Sequence, residues 1–559
     1  MNSKYFFLKL FILLVISLLP INTFAQFTIN GKRPAYDKTT NTYLVSIPQN
    51  VFLHDYEASI SLDPDSLWTN LKIDNESITD TYTFIHISAN KQYTLSASKG
   101  EEKINAYISF TYLPILDVQG VFGYDYNRGS MYLLTPEANI STSINIKAKW
   151  RGGSTNSEGK HKRNYKIKTI DVQGKSKDYS FLGLRKDNNW ILDAGQVDLF
   201  RLRNRIATEL WNDFATKPYY SDKEPKALSG VNGKVTEVIL NNEYRGIYSL
   251  TESMDRKELR LKKYDENNQE FHGQLWKTSG YGYATFWEKP GIYNNNDETW
   301  NVFETKYPDI ENVCPTDYST LWNAINFVAT SDDDTFRTEV AEYFDMPVLI
   351  DYYIFLNVVN GIDNIGKNMY WAVYDKTESK KLTPAIWDLD ATVGQYYTDE
   401  PLHPESVYPT HQLGLSGLNI FYRLLQLNVD NFKDRVYKRY FTLRQNELKQ
   451  ENLIDRYQNY YQYLFSCGAT TREENKWSYD SDIAGNKLDF KAENEYINNW
   501  IVQRLEYLDK EILQLTSDIK DVSSNIPKQK HTMYNILGQK VQTNYNGLYI
   551  LNGKKYISK

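Results

Sequence analysis

One short segment constrains this chain more than any other feature. Asp363 is followed five positions later by Asn368, and Asp388 and Asp390 come after an intervening run of mostly aromatic, β-branched and turn-forming residues. That run, MYWAVYDKTESKKLTPAI (369–386), has two extended stretches around a polar turn and therefore predicts a β-hairpin. Folding it about residue 378 places position 368 opposite position 388, and facing residues of an antiparallel pair lie roughly 5 Å apart.

The open end of this predicted hairpin gathers oxygen donors. Asn368, Asp388 and Asp390 would stand beside Asp363, and such hard oxygen ligands suit Mg²⁺ held against phosphate. A catalytic Asp, an Asn five later, a hairpin and a metal-binding Asp also follow one another in the catalytic loop of protein kinases. The alternative is structural: Asp363 and Asn364 form a turn, and Asp388 caps the next segment. Spacing alone favours this alternative, because short Asp motifs are common.

Composition bounds the size of the protein and its partners. A chain of 559 residues exceeds one ordinary domain, so two or three are expected. A hydrophobic content of 41% is ample for sizeable cores, and 45 tyrosines suit a β-rich protein. The formal net charge of −6 gives no reason to expect binding to nucleic acid or to an anionic membrane.

The N-terminus predicts export. Lys4 and Lys9 flank the start of an apolar run at 10–20, and small residues follow up to Ala25. This pattern is typical of a secretory signal peptide, residues 1–25, and implies a secreted, cell-surface or periplasmic protein. A membrane anchor is less favoured because the apolar run is short and ends in proline. We predict no membrane-spanning segment after cleavage.

The remaining chemistry is defined mainly by exclusion. Cys314 and Cys467 can form a disulfide or remain as two buried thiols, and the sequence favours neither. The sequence contains no HExxH, no Walker lysine loop and no GxSxG, so the common zinc-protease, P-loop and serine-hydrolase interpretations lack their motifs.

Periodicity divides the chain into parts. Short alternating strands at 26–113 predict a small immunoglobulin-like β-sandwich, unless they form the first sheet of the main domain. The main domain, 114–516, begins with strands and becomes helical. A Ser/Lys/Gln-rich stretch, 517–530, predicts a linker, and 531–559 a small β segment. Four helices are predicted within the main domain, at 199–214 with Asp198 as N-cap and at 347–359, 417–444 and 495–516.

Several blocks of the chain resemble one family. GIDNIGKNMYWAVYDKTESKKLTPAIWDLDATVGQ is similar to the core signature of the CotH kinases, atypical kinases first named for a spore coat protein. Further blocks follow the family's order, and the resemblance covers roughly residues 115–515. These blocks are KAKWRGGSTNSEGKHKRNYKIKTID (148–171), WILDAGQVDLFRLRNRIATELWND (190–213), VTEVILNNEYRGIYSLTESMDRKEL (235–259), GQLWKTSGYGYATF (273–286) and FETKYPD (303–309). Separately, the C-terminal elements YNILGQKV, GLYI and GKK resemble sorting domains of the type IX secretion route.

The resemblance implies a fold and a reaction. The fold class is α+β, a two-lobed atypical protein-kinase-like domain preceded by a small all-β sandwich. The reaction transfers the γ-phosphoryl group of ATP, with Mg²⁺ or Mn²⁺, to Ser or Thr of an exported protein. Asp363 matches the family's catalytic carboxylate. Asn368, Asp388 and Asp390 match metal ligands, with Asp388 the first of the two carboxylates to bind.

The nucleotide contacts implied by the resemblance are basic residues and a hinge. Arg151, Lys162 and Lys168 lie in or near a glycine-containing turn and the strand after it, where Lys168 is preferred to Lys162 for the phosphates. The alternative is a solvated lysine edge that discourages strand aggregation. Glu252 and Met254 would lie near adenine, although Glu252 can equally pair with a neighbouring arginine. Lys277 matches a family block and receives no chemical role.

The last residue of the site gives structural support. Arg203, on the predicted helix at 199–214, would form a salt bridge with a carboxylate near the site, and a surface role is the alternative.

Two other functions are compatible with the sequence. A non-catalytic surface adhesion or coat-like scaffold would retain the fold without transferring phosphate, and the scarcity of ATP outside the cytoplasm favours it. A glycan-cleaving enzyme would need two carboxyl groups across a sugar cleft, and Asn368 has no part in that chemistry.

Overall fold

The computed structural model describes most of the main chain. It covers residues 27–62, 68–137, 143–153, 155, 161–309, 316–395, 402–405, 417–482 and 484–517, together with short strands between 533 and 558. The predicted signal peptide, residues 518–530 of the predicted linker and Cys314 lie outside the described residues. Cys467 is a free, buried thiol. The chain divides into two compact units, residues 1–512 and 513–559.

The first strands form two sheets. One sheet has the order β1-β4-β7 and the other β2-β3-β9-β8-β5-β6. Buried and exposed residues alternate along β8, and Phe84 packs edge-to-face on Phe110 with ring centroids 4.9 Å apart. The boundary at residue 113 stays a prediction. The strands are β1 (Phe27–Ile29), β2 (Ala35–Asp37), β3 (Thr42–Ser46), β4 (Tyr56–Leu62), β5 (Thr69–Ile73), β6 (Glu76–Ser77), β7 (Thr81–Phe84), β8 (Tyr93–Lys99) and β9 (Glu102–Thr111).

The next strands close into a barrel. Its order is β10-β11-β12-β13-β14-β16-β15, and a parallel pairing of β10 with β15 completes the circle. Helix α1 (Arg203–Phe214) lies in the connection from β14 to β15. The strands are β10 (Ile115–Gln119), β11 (Asn127–Leu134), β12 (Ile144–Arg151), β13 (Asn164–Thr169), β14 (Asn189–Asp193), β15 (Gly233–Leu240) and β16 (Glu243–Glu252).

Alternation along the barrel strands decides what faces the interior. On β13, Tyr165 and Ile167 belong to the apolar core, together with Trp190 and Leu192 of the neighbouring β14. Because successive side chains of a strand point to opposite faces, the residues between them lie on the outer face. The outer face of β12 and β13 therefore carries mainly basic side chains, and they are Lys147, Lys149, Arg151, Lys166 and Lys168.

A second sheet and a group of helices follow the barrel. The sheet order is β18-β19-β17-β20-β21. Its strands are β17 (Gln274–Thr278), β18 (Thr299–Trp300), β19 (Phe303–Tyr307), β20 (Met369–Val373) and β21 (Thr383–Ile386). The helices are α2 (Ser319–Thr330), α3 (Asp333–Tyr343), α4 (Met346–Val359), α5 (Asn419–Gln426), α6 (Phe432–Arg444), α7 (Gln450–Ser466), α8 (Ala469–Lys476) and α9 (Phe490–Ser517). The predicted α+β class is confirmed.

The second sheet packs against the outside of the barrel. Ile191 of β14 shares an apolar cluster with Leu275 of β17 and with Tyr370 and Ala372 of β20. This packing leaves a cleft between the barrel and the second sheet. Side chains of both, beyond the apolar cluster, line the cleft. No helix in the part of the chain covered by the structure is long and apolar enough to cross a membrane.

The C-terminal unit contains a small sheet of its own. Its strands follow the order β23-β22-β24-β25, all antiparallel. They are β22 (Met533–Asn535), β23 (Lys540–Val541), β24 (Gly547–Leu551) and β25 (Lys554–Ser558). The predicted resemblance of this segment to a sorting domain stays a prediction.

Three of the predicted helices differ from the structure. Helix α9 begins at Phe490, five residues before the predicted start at 495. Helix α1 begins at Arg203, four residues later than predicted, because Asp198 is not its N-cap. The carboxylate of Asp198 accepts the amide of Arg203 at 2.7 Å and that of Phe200 at 2.8 Å in a turn before the helix. The helix predicted at 417–444 is two helices, α5 and α6, because Asn428 and Asp430 between them adopt left-handed backbone conformations.

Candidate functional site

The hairpin of β20 and β21 exists with a register one residue from the predicted one. Met369 pairs with Ile386 and Ala372 with Thr383, so position 368 lies opposite 387 rather than 388. The cause is the turn at the far end. Asp375 accepts the amide of Thr377 at 3.0 Å and its hydroxyl at 2.7 Å, which centres the turn between residues 377 and 378.

Left-handed backbone conformations mark the open end of the hairpin. Asn368 has a φ of 51° and Asp388 a φ of 59°. Asn and Asp are the non-glycine residues that tolerate this conformation best. Both side chains therefore leave the strand alternation where the chain enters and leaves the hairpin.

The loop before the hairpin is held by an asparagine. The side-chain nitrogen of Asn364 donates to the backbone carbonyl of Asn368 at 3.0 Å and to that of Trp387 at 2.7 Å. The hydroxyl of Tyr352 on α4 donates to the carbonyl of Asn364 at 2.7 Å. These bonds connect the loop, both ends of the hairpin and the buried helix α4. They fix the backbone on which Asp363 stands.

Asp363 lies at the centre of a small hydrogen-bonded group. Its side chain is 5% exposed. The ammonium of Lys367 contacts both of its oxygens at 2.8 Å, and the amide nitrogen of Asn368 donates to it at 2.7 Å. The hydroxyl of Tyr281 lies 3.5 Å away. Because the Asn368 nitrogen is directed at Asp363, the amide oxygen of Asn368 points to the other side.

Two further carboxylates follow the hairpin in a buried, charged environment. Burial raises the pKa of Asp388, and the nearby carboxylate of Asp193 raises it further, while Arg151 and Lys277 oppose the shift. Burial and then the charge of Asp388 raise the pKa of Asp390 well above its usual value. Asp363 contributes to both shifts. The carboxylates therefore repel one another within one low-dielectric site.

Helix α1 holds the segment that carries these carboxylates. The side chain of Asn204 donates to Asp193 at 2.6 Å and accepts the backbone amide of Leu389 at 3.0 Å. The guanidinium of Arg203 is fully buried, forms ion pairs with Asp198 and Glu493, and donates to the carbonyl of Val393 at 3.3 Å. Both residues act through the backbone around Asp388 and Asp390. Arg203 thus forms salt bridges, and its predicted support of the site stays a prediction.

The donor set suits a divalent cation. Within the described ranges, no group of three His, Cys, Asp or Glu side chains is close enough to hold a metal. The set at this site consists of the Asn368 amide oxygen and the carboxylates of Asp388 and Asp390, which repel each other when both are ionised. A hard cation that keeps some of its waters fits such a set, because it relieves that repulsion and needs few protein ligands.

The basic side of the cleft differs from the predicted one. Arg151 lies 5.4 Å from the ring centre of Trp387, beside Asp388. Lys277 of β17 also acts on Asp388. Lys166 lies near Lys306 and Arg151. Its pKa is lowered to about 8, mainly by burial and next by the positive charge of Lys168. Lys277 received no role in the sequence analysis, and Lys166 was not among the predicted nucleotide contacts.

Lys162 and Lys168 do not occupy the positions predicted for them. The ammonium of Lys162 has no exposed surface, pairs with Glu473 at 2.7 Å and donates to the carbonyl of Ile247 at 2.7 Å. The structure therefore gives Lys162 a structural role within the barrel in place of a nucleotide contact. Lys168 of β13 faces Lys147 of β12 in the strand register, and Arg151 stands at the other end of β12. The ammonium of Lys168 lies 5.2 Å from the ring centre of Tyr126.

Glu252 lies beside a polar cavity. Its carboxylate accepts the backbone amide of Arg185 at 2.6 Å and the side chain of Asn232 at 3.3 Å. Burial, and then the charge of Glu252, raise the pKa of Glu258 to about 8. All four residues line a cavity of about 410 Å³. Arg205 lines both this cavity and a smaller one that contains Arg151, Asp193 and Asp388.

Met254 does not line the polar cavity beside Glu252. It is buried in the apolar cluster that includes Ile191, Val231 and Trp387. Those three residues line the smaller cavity beside Asp388. Met254 therefore packs behind the wall of the cleft.

Sequence reasoning missed Asp193, Asn204 and Lys277 as members of the site. A signal existed for all three, which lie in blocks that resemble the CotH kinases, but no chemistry followed from it. Asp193 ends a buried strand, WILD, and could have been found as a polar residue at a strand end. Asn204, which hydrogen-bonds Asp193, is distant from Asp388 in sequence. Only the fold therefore brings Asp193, Asn204 and Asp388 together.

Comparison with known proteins agrees with the geometry. A family model described as CotH kinase protein matches residues 148–508, which is more than half of the chain. The chain belongs to the CotH kinase family. A search of curated proteins gives no significant match. Membership of a kinase family implies the general use of ATP and a divalent metal, and the matched range contains every residue of the site described above.

Proposed function

We propose that this CotH-family protein transfers the γ-phosphoryl group of ATP to a Ser or Thr hydroxyl of an exported protein. The observation that carries the proposal is the hairpin's open end, where Asn368 hydrogen-bonds Asp363 and Asp388 follows the second strand, with Lys277 on the same sheet and Arg151 on the barrel opposite. Phosphoryl transfer needs this combination of carboxylates and cations, since catalysis consists mainly of positioning and charge stabilisation.

Asp363 is proposed to accept the proton of the attacking hydroxyl. The hydroxyl oxygen then bonds to the γ-phosphorus, the bond from that phosphorus to the β–γ bridging oxygen breaks, and ADP leaves. Asn368 orients the carboxylate through its 2.7 Å hydrogen bond. Lys367, which pairs with Asp363 at 2.8 Å, keeps a positive charge beside the reacting group.

The remaining residues are proposed to bind the nucleotide. Asn368, Asp388 and Asp390 would hold Mg²⁺ or Mn²⁺, which supplies charge neutralisation for the phosphates. Arg151, Lys277 and Lys166 would contact phosphate oxygens, with Lys166 in place of Lys168. Two of the earlier assignments, Arg151 and Asp388, line one cavity, which supports their joint role.

The nucleobase is proposed to occupy the polar cavity beside Glu252. The cavity volume of about 410 Å³ is sufficient for a purine and part of its ribose. Arg205, which lines this cavity and the one beside Asp388, connects the two parts of the proposed site.

Export is a separate part of the proposal. The N-terminal signal-peptide pattern supports a secreted or surface location, where the acceptor protein would also lie. An enzyme assay alone does not test location. Detection of the protein in culture medium or surface fractions, compared with a variant lacking residues 1–25, tests it directly.

The reaction is tested by labelling with γ-labelled ATP and Mn²⁺ in an extract of surface proteins. Asp363→Asn should reduce the labelling rate about a hundredfold to ten-thousandfold, the range typical of a lost general base. Asp388→Asn should weaken metal-dependent nucleotide binding in calorimetry. Asp430→Asn changes an exposed carboxylate and serves as the control.

The outcomes separate the kinase from the non-catalytic surface scaffold. Equal labelling by wild type and Asp363→Asn would refute the catalytic role of Asp363. Intact nucleotide binding with no labelling by the wild type would favour the non-catalytic surface scaffold. Because ligand binding raises the melting temperature, a thermal shift with ATP and Mn²⁺ shows whether the nucleotide site is functional.

A further inference from the structure

A second group of cations lies on the outer face of the barrel, beyond the proposed phosphate contacts. Lys147 and Lys149 stand on β12 and Lys168 on β13. Their ammonium groups lie 5.5, 5.0 and 5.2 Å from the ring centre of Tyr126. We call Tyr126, Lys147, Lys149 and Lys168 the lysine surface. All three lysines are partly exposed.

The three lysines of this surface differ from their basic neighbours in their ion pairing. Among the residues that the structure describes, none of its three lysines forms an ion pair with an acidic side chain. The neighbouring Lys306 has such a partner, Glu304, at 2.9 Å. The whole chain carries a formal charge of −6, so the lysine surface is a local exception. Unbalanced cations at close range repel one another, and an anionic ligand would relieve that repulsion.

The row of cations on this face is too long to serve only the nucleotide. It begins with Arg151 beside Asp388 and continues through Lys166 to Lys149 and Lys168. Arg151 and Lys147 are four positions apart on β12, which is roughly 13 Å along a strand. Arg151 already lies beside Asp388, where the triphosphate is proposed to end. The part of the surface around Tyr126 therefore remains for another anion.

The shape of the surface favours a peptide over a nucleic acid. Lys147 and Lys149 are separated by roughly 6.6 Å along β12, the spacing of alternate side chains in an extended peptide. Single-stranded nucleic acid would need aromatic faces on which bases stack. The Tyr126 ring has three ammonium groups against it, and Arg163 lies 4.7 Å from the ring centre of Trp150. Tyr124, 66% exposed beside Trp150, offers apolar contact to a peptide.

We propose that the lysine surface docks an acidic segment of the acceptor protein and so directs its hydroxyl into the cleft. This inference rests on the proposed function and adds a substrate class to it: proteins whose phosphoacceptor residue lies near a run of Asp or Glu. The acidic side chains pair with Lys147, Lys149 and Lys168 along the strand. The chain of cations leads from that docking position to Asp363 and Asp388.

The inference is tested by peptide binding to the full chain. The probes are fluorescent extended peptides with one Ser and either alternating Glu, alternating Gln or alternating Lys. Fluorescence anisotropy without nucleotide should show that the Glu peptide binds at least about tenfold more tightly than the Gln peptide, with a preference that falls as salt rises. Equal affinity for the Glu and Gln peptides would overturn the inference.

A double variant locates the binding. Lys147→Gln with Lys149→Gln should weaken binding of the Glu peptide about fivefold to tenfold, as expected for two partly exposed ion pairs. The matched control, Lys72→Gln with Lys103→Gln, removes two exposed lysines from the N-terminal strands and should leave the affinity unchanged. An equal loss in both double variants would contradict a specific surface.

Two further measurements separate this inference from the proposed function. Calorimetry with Mn²⁺ and ATP should give the same affinity for the wild type and the Lys147/Lys149 double variant. A Glu-peptide preference that the double variant loses supports the lysine surface even when wild type transfers no phosphate, a result that counts against the kinase proposal alone. Single-stranded DNA of equal charge that binds as tightly as the Glu peptide would overturn the peptide assignment.

Discussion

At the scale of single residues, the site is fixed by short polar side chains that hold backbone segments together. Asn364 connects the loop before the hairpin to both ends of it, and Asn204 connects helix α1 to the segment after it. In the proposed site, such side chains would act on the metal and nucleotide through the groups that they orient. Their replacement should therefore change affinity more than it changes the fold.

Asn204→Ala tests this role. The change removes the hydrogen bonds to Asp193 and to the amide of Leu389, so the segment with Asp388 loses its fixed position. We expect metal-dependent nucleotide affinity to fall about tenfold to a hundredfold, measured by calorimetry. Asp213→Ala, on the exposed side of the same helix, is the control and should leave the affinity unchanged. A similar loss in both variants would point to damage of the helix.

Lys166→Gln tests a compromise between stability and binding. Burial and neighbouring cations lower the pKa of Lys166 to about 8, so its charged form destabilises the folded state at neutral pH. We expect the variant to melt at a higher temperature than the wild type at pH 7 and to bind ATP more weakly. Thermal scans and calorimetry measure the two effects. A variant that melts lower at pH 7 would contradict the assignment.

The same lysine predicts a pH dependence of known sign. The folded-state pKa of about 8 lies below the ordinary value of 10.5, so the unfolded state holds the proton more firmly. The destabilisation is complete below pH 8 and disappears as the pH rises towards 10.5. The difference in melting temperature between Lys166→Gln and wild type should therefore narrow over that range. A constant difference would show that the charge of Lys166 is not its cause.

At the scale of elements, sequence periodicity located most strands and helices but not their ends. The hairpin was predicted, and its register was wrong by one residue because the Asp375 turn, not the hydrophobic pattern, sets the pairing. Lys166, which lies near Arg151, was not among the predicted nucleotide contacts, although it lies on the same face of β13 as Lys168. Which of them faces the cleft depends on the position of the second sheet. Local sequence carries no information on that packing.

Gly246 allows strand β16 to pack closely against helix α8. Its φ is 98°, and an added Cβ would lie 1.8 Å from a carboxylate oxygen of Glu473 on α8. Gly246→Ala should therefore cost at least about 3 kcal/mol of unfolding free energy, from backbone strain and overpacking together. Denaturant unfolding measures it. Gly100→Ala, with a φ of 60° and no atom within 4 Å, isolates the backbone strain and should cost only about 1 kcal/mol.

At the scale of the whole molecule, buried charges join the barrel to the C-terminal helices. Glu473 on α8 accepts Lys162 at 2.7 Å, Arg201 at 2.8 Å and the amide of Ile247 at 2.8 Å. Its neighbour Arg472 pairs with both oxygens of Glu237 on β15, at 2.8 and 2.9 Å. These pairs unite residues more than two hundred positions apart.

Breaking this network should show coupling. Lys162→Met removes one partner of a buried carboxylate and should cost about 3–5 kcal/mol of unfolding free energy. Glu473→Gln should cost more, because Lys162 and Arg201 both lose their charge partner. The double variant should cost clearly less than the sum of the two. Lys223→Met, at an exposed pair with Glu378, is the control and should leave the unfolding free energy unchanged.

The late position of Glu473 and Arg472 in the chain also has a consequence for biosynthesis. A ribosome completes every barrel strand before it adds these two residues, so the emerging barrel would contain Lys162 and Glu237 without their opposite charges. An uncompensated buried charge is costly enough to keep the strands from settling into their final arrangement. The barrel is therefore expected to reach its final arrangement only once helix α8, which carries both residues, has left the exit tunnel.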